Sequence, residues 1–155
     1  MTFATVVTDA SFFADTGKAG WACWIVCNGE RYKAYGAFSG KKTCSTHAEV
    51  CAIGNGIFLA IKRFNPEKIH VVTDSMNAIH ILESFGKKGL SKKNKTNATA
   101  QKEAAKIIKK ISTNLTLTFK HVRAHTDIQD KRSFVNRWCD EHAKKAAKQI
   151  TTTQE

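Results

Sequence analysis

No apolar run in this 155-residue chain approaches membrane-spanning length, which is about 20 residues for a helix. The opening stretch MTFATVVTDASFF has no basic region ahead of its apolar residues, so neither a secretory signal nor a membrane span is expected. Cysteine is sparse. The five thiols (Cys23, Cys27, Cys44, Cys51 and Cys139) are odd in number and include no C-x-x-C pair. They read as reduced, mostly buried thiols of a cytoplasmic protein. No His/Cys set has the spacing of a structural zinc site. A Gly-rich phosphate loop, a legible Ser-His-Asp set, an internal repeat and a separate linker are all missing as well.

Acidic residues are scarce too, with 13 Asp+Glu against 25 Lys+Arg, a net charge of +12. The imbalance is one-sided. Residues 1–86 carry 8 basic and 7 acidic groups, whereas residues 87–155 carry 17 and 6. Such asymmetry favours a polyanionic partner, most often a nucleic acid. Hydrophobic residues make up 42% and charged residues 25%, an ordinary globular mix that excludes global disorder. The length supports one domain, residues 1–150, with 151–155 as a frayed tail.

Phe3 to Thr8 is a β-rich run closed by Asp9. Trp21 to Cys27 and Arg31 to Phe38 are two more strands, joined by Asn28-Gly29, the favoured pair of a type I′ hairpin. The period then changes. Val50, Ile53, Ile57 and Ile61 recur at helical spacing. Thr46 with Glu49 fits a capping box that opens this helix and puts Glu49 in its first turn. Gly54 and Gly56 weaken the helix, and Pro66 closes the segment. Ile69 to Thr73 is a buried-type strand closed by Asp74. Ile79 and Leu82 suggest a short helix, residues 86–95 a Gly- and Lys-rich break, and Ala100 to Ile111 another helical stripe. Leu115, Leu117 and Phe119 alternate as a fifth strand. Val135, Trp138, Cys139, His142, Ala143 and Ala146 line one face of a last helix.

The condensed order is β-β-β-α-β-α-β-α, an α/β chain. Parallel pairing by right-handed crossovers gives a five-stranded mixed sheet of order 3-2-1-4-5 with helices on both faces. Strands 1 and 4 then flank a topological switch point, where open α/β sheets bind ligands. Asp9 and Asp74 lie side by side there. The helix carrying Glu49 begins at the same edge, and Asp140 is placed two turns or less into the last helix. Four carboxylates cannot crowd together as free anions without strong repulsion, which a hard divalent cation resolves. All-oxygen ligation suits Mg²⁺ or Mn²⁺. His125, in the loop before the last helix, is the histidine placed to carry a proton.

The pieces TDAS (Thr8 to Ser11), THAEVCAI (Thr46 to Ile53), VVTDS (Val71 to Ser75), VRAHT (Val122 to Thr126) and NRWCDEHAKKAA (Asn136 to Ala147) occur in this order. Together they resemble a type 1 ribonuclease H over nearly the whole chain. The resemblance implies metal-binding acids at Asp9, Glu49, Asp74 and Asp140, and a flexible-loop histidine at His125. It implies Mg²⁺-dependent endonucleolytic cleavage of the RNA in an RNA–DNA hybrid, leaving 5′-phosphate and 3′-hydroxyl ends. Two ions ~4 Å apart would flank the scissile phosphate, with Asp9 bridging them. The expected partner is the hybrid, bound by a monomer. Ser11, Ser45 and Thr46 are expected to touch substrate near the cut, and Lys87, Lys88, Lys92 and Lys93 to touch distant phosphates. The chain departs from the best-known bacterial pattern at Ala10 (usually Gly), Ser45-Thr46 (an Asn pair) and Met76 (Gln). Hydroxyls replace some amide hydrogen bonds, whereas Met76 donates none. A junction resolvase of the same superfold and a non-catalytic hybrid-binding module are the alternatives.

Overall fold

The computed structural model describes residues 2–85, 98–111, 114–123 and 131–148. Strands β1 (Phe3–Phe12), β2 (Ala19–Cys27) and β3 (Glu30–Ala37) form an antiparallel meander. Asn28 and Gly29 both take positive φ, 52° and 82°, as the type I′ hairpin requires. Helix α1 (Ser45–Phe64) leads to β4 (Lys68–Thr73). Helices α2 (Met76–Phe85) and α3 (Ala98–Lys110) precede β5 (Thr116–His121), and α4 (Lys131–Lys148) closes the described chain. Two helices therefore lie between β4 and β5, where the condensed order counts one. The sheet order is β3-β2-β1-β4-β5, with β4 parallel to both β1 and β5.

Strand alternation divides the core between two faces. Ala4 and Val6 of β1, Cys23, Ile25 and Cys27 of β2, and Ile69 and Val71 of β4 pack against α1, α2 and α3. Ala22 and Trp24 pack on the opposite face against Cys139 and Ala143 of α4, flanked by Val7 and Trp138. All five cysteines are reduced thiols, and four of them are buried. No helix among the described residues is long and apolar enough to cross a membrane.

The glycines that weaken α1 by propensity are explained by close packing. A Cβ at Gly54 would lie 2.6 Å from Ile107 Cδ1 of α3, and one at Gly56 would lie 2.7 Å from Val6 Cγ1 of β1. Tertiary packing overrides the propensity cost. The capping box is not formed. Cys44 is the N-cap of α1, its Sγ accepting the His47 N–H at 3.4 Å. Thr46 is therefore inside the helix, and Glu49 stands in the second turn. The helix ends at Asn65, whose left-handed φ of 47° lets its N–H reach Ile61 O at 2.9 Å, ahead of Pro66.

Candidate active site

The register of β1 and β4 sets the site. β1 continues to Phe12 instead of ending before Asp9, and residues 8–12 pair only with β2. The last parallel pair is Val7 with Val72. Asp9 and Asp74 each lie two residues beyond it, at matching positions where the two strands part. This is the switch point of the sheet, with α1 entering from one face and α4 covering the other.

Asp9, Glu49 and Asp74 meet there. Each offers a carboxylate oxygen, and these oxygens lie within 4.8 Å of one another. Asp9 is only 7% exposed, and its Oδ1 accepts the Ala10 N–H at 2.9 Å. Burial, then the charge of Asp74, pushes its carboxyl well above the usual range, with Asp140 adding to the shift. Burial, Asp9 and Asp74 raise Glu49 in the same way. The set therefore retains protons near neutrality instead of three full charges. Oε1 of Glu49 is buried and has no hydrogen-bond partner. An orphaned buried carboxyl oxygen among acids is costly, and a hard cation satisfies it. The residues fit a divalent ion held by oxygen ligands.

Asp140 is near this set without belonging to it. It lies nine residues after Lys131 in α4, about 2.5 turns at 3.6 residues per turn, deeper than the sequence suggests. Its charge acts on Asp9, but its Oδ2 is engaged by Lys144 Nζ at 3.0 Å. The only sequence sign of Lys144 is its i,i+4 spacing from Asp140. Cys139 packs against β1 two residues before Asp9. It is fully buried, with Sγ 3.7 Å from Val7 O.

Ser11 is half-buried in the part of β1 that pairs only with β2. Ser45 is exposed at the start of α1, while Thr46 is buried at 8% exposure. Of that pair, Ser45 is the exposed residue. Ser75 caps α2, accepting the Ala78 N–H at 3.2 Å. His125, Lys87, Lys88, Lys92 and Lys93 lie outside the described residues.

The RNase H family model matches residues 2–148. Among solved structures, the N-terminal RNase H domain of rv2228c from Mycobacterium tuberculosis, solved as a fusion with maltose binding protein, is similar with a TM-score of 0.65 at 15% identity. The match covers 95% of this chain and 94% of that one. RNase H1 from the halophilic archaeon Halobacterium salinarum has a TM-score of 0.62 at 16% identity, over 93% and 96% of the two chains. The prototype foamy virus protease-reverse transcriptase has a TM-score of 0.63 at 16% identity. That match covers 97% of this chain and 21% of the viral one. No curated protein sequence matches.

Proposed function

Because the chain belongs to the RNase H family, we propose that it is an endonuclease that hydrolyses the RNA strand of RNA–DNA hybrids with Mg²⁺, for which Mn²⁺ substitutes. Fold and acid cluster make it a hydrolytic enzyme of the RNase H-like superfamily. The observation that carries the finer reading is the meeting of Asp9, Glu49 and Asp74 within 4.8 Å around an unpartnered Glu49 Oε1.

Asp9, Glu49 and Asp74 would hold the cations, and Asp140 would join them on release from Lys144. Bound divalent ions supply activation of the attacking water and charge stabilisation at the departing 3′-oxygen. The protein's own part is to hold the carboxyls at the strand parting and to give up the protons they share, since only ionised carboxylates ligate. Burial keeps bulk water from competing at Asp9. His125 carries a proton at the reacting end, by its family resemblance. Ser45 and nearby backbone amides read the 2′-hydroxyl that distinguishes RNA from DNA. The lysines of the 86–95 segment touch phosphates away from the cut.

One assay tests the reading. Purified protein with Mg²⁺ is incubated with a labelled RNA–DNA hybrid, duplex DNA, duplex RNA and a four-way junction. Cleavage confined to the RNA strand of the hybrid is expected. Selective junction cutting would favour the resolvase, and tight hybrid binding without turnover would favour a binding module.

A further inference from the structure

Helix α1 carries a second ligating set, separate from Glu49. His47 and Cys51 are four residues apart and share one helix face. Glu49 lies about 200° from His47 around the axis at 3.6 residues per turn. Glu103 of α3 meets the His47–Cys51 pair across the helix interface. One potential ligand atom from each of the three lies within 4.8 Å of the others. His47 and Cys51 are buried, at 7% and 8% exposure, and Glu103 is half-buried.

The chemistry of this trio differs from that of the acid set. Imidazole, thiol and carboxylate together match Zn²⁺ and similar borderline metals, not Mg²⁺. Tetrahedral zinc with these donors needs ligand atoms ~3.5 Å apart, which small side-chain rotations provide. Thiolate and carboxylate balance the two positive charges. Lys42 and Lys106 are near enough to act on Cys51, but Lys106 is exposed and its repulsion is screened by solvent and salt. Water completes the fourth position.

We propose that His47, Cys51 and Glu103 form a second cation site, selective for Zn²⁺ and related metals, that clamps α1 to α3. Thr43 engages the ring nitrogen that a metal on Nε2 would leave free. Nδ1 of His47 accepts the Thr43 N–H at 3.2 Å and lies 3.4 Å from Thr43 Oγ1. A metal on Nε2 moves the ring proton to Nδ1, which gives up the Thr43 N–H and turns to Thr43 Oγ1 as acceptor. Such partners fix the tautomer of a ligating histidine. Occupancy would thereby reorganise Thr43, two residues before Ser45.

The test is Co²⁺ titration of the full chain in excess Mg²⁺, which fills the carboxylate set. Thiolate-to-cobalt charge-transfer absorption is expected at one equivalent, and Zn²⁺ should displace it. Cys51→Ser should abolish the band, while Cys44→Ser and Cys139→Ser should retain it. Glu103→Gln should weaken Co²⁺ binding by more than the ~10–100-fold typical of lost supporting partners. Zn²⁺ should raise the Tm of the wild type in Mg²⁺ and that of Glu103→Gln by distinctly less at the same concentration. If Cys51→Ser does not fold, the half-exposed Glu103 variant decides alone. A wild type without the band, a band that persists in Cys51→Ser, or wild-type affinity in Glu103→Gln would overturn the site.

Discussion

Replacing Asp9 by Asn should abolish cleavage and, in the absence of metal, make the protein more stable. The carboxylate oxygens of Asp9, Glu49 and Asp74 lie within 4.8 Å of one another. At that distance, with an effective dielectric constant near 20, each fully ionised pair repels by ~3.5 kcal/mol. Asp9 takes part in two of the three pairs. Protons held by the raised carboxyls relieve most of this, and an Asn at position 9 retains the desolvation cost of a buried amide. The net gain near pH 8 is then about 1–3 kcal/mol, or roughly 3–10 °C in Tm for a domain of this size. The sign follows from the direction of the shift. A carboxyl whose folded pKa is raised contributes its stability in full below the unfolded pKa. That contribution is lost as pH rises through the folded pKa. The advantage of the variant should thus be nil near pH 4 and grow toward pH 8. Thermal melts of both proteins in EDTA across that range measure it. Saturating Mg²⁺ should reverse the order, because the ion stabilises the wild type by mass action. Equal melting at pH 8 in EDTA, or an advantage as large at pH 4, would refute the reasoning.

Gly20→Ala should cost about 2–4 kcal/mol in urea melts, since the added Cβ meets Ala143 O and Ala147 N of the α4 backbone, which cannot swing away. Gly40→Ala, with nothing within 4 Å of its Cβ, should stay within about 0.5 kcal/mol of wild type. His125→Ala should slow single-turnover cleavage by up to ~10²–10⁴-fold while leaving the metal requirement intact; an unchanged rate across neutral pH would remove the histidine from the mechanism. Replacing Lys87, Lys88, Lys92 and Lys93 together by Ala should raise KM, spare kcat, and flatten the log K against log salt slope by roughly 1 for each phosphate no longer neutralised. A wild-type KM and slope would place the clamp elsewhere, with Lys102, Lys106, Lys109 and Lys110 of α3 the next set to change.

The sheet order and the meeting of Asp9, Glu49 and Asp74 were legible because strand alternation, an Asn-Gly turn and crossover handedness leave few topologies open. What escaped was register and local competition. Thr46-x-x-Glu49 satisfies the capping pattern, yet the Cys44 thiol takes the cap, and no composition rule ranks those two. Asp9 reads as a strand terminator, whereas β2 continues to pair β1 as far as Phe12. Gly54 and Gly56 read as weak helix residues because the side chains they admit come from other elements, Ile107 and Val6. Glu103 joins His47 and Cys51 from a helix distant in sequence, a juxtaposition that spacing rules cannot reach.

The central claim is that the three converging carboxyls form a cation-dependent nuclease centre for hybrids. Its most direct test is RNA-strand cleavage of a hybrid by wild type and Glu49→Gln, with Mg²⁺ raised from none to saturation. Gln keeps the size of the side chain and the helix but removes the charge at the orphaned Oε1 position. The wild type should be inactive without the ion and should saturate with it, while the variant should remain at least ~10²-fold slower at saturation. Cleavage without any divalent ion, or a variant within a few-fold of wild type at saturating Mg²⁺, would contradict the account.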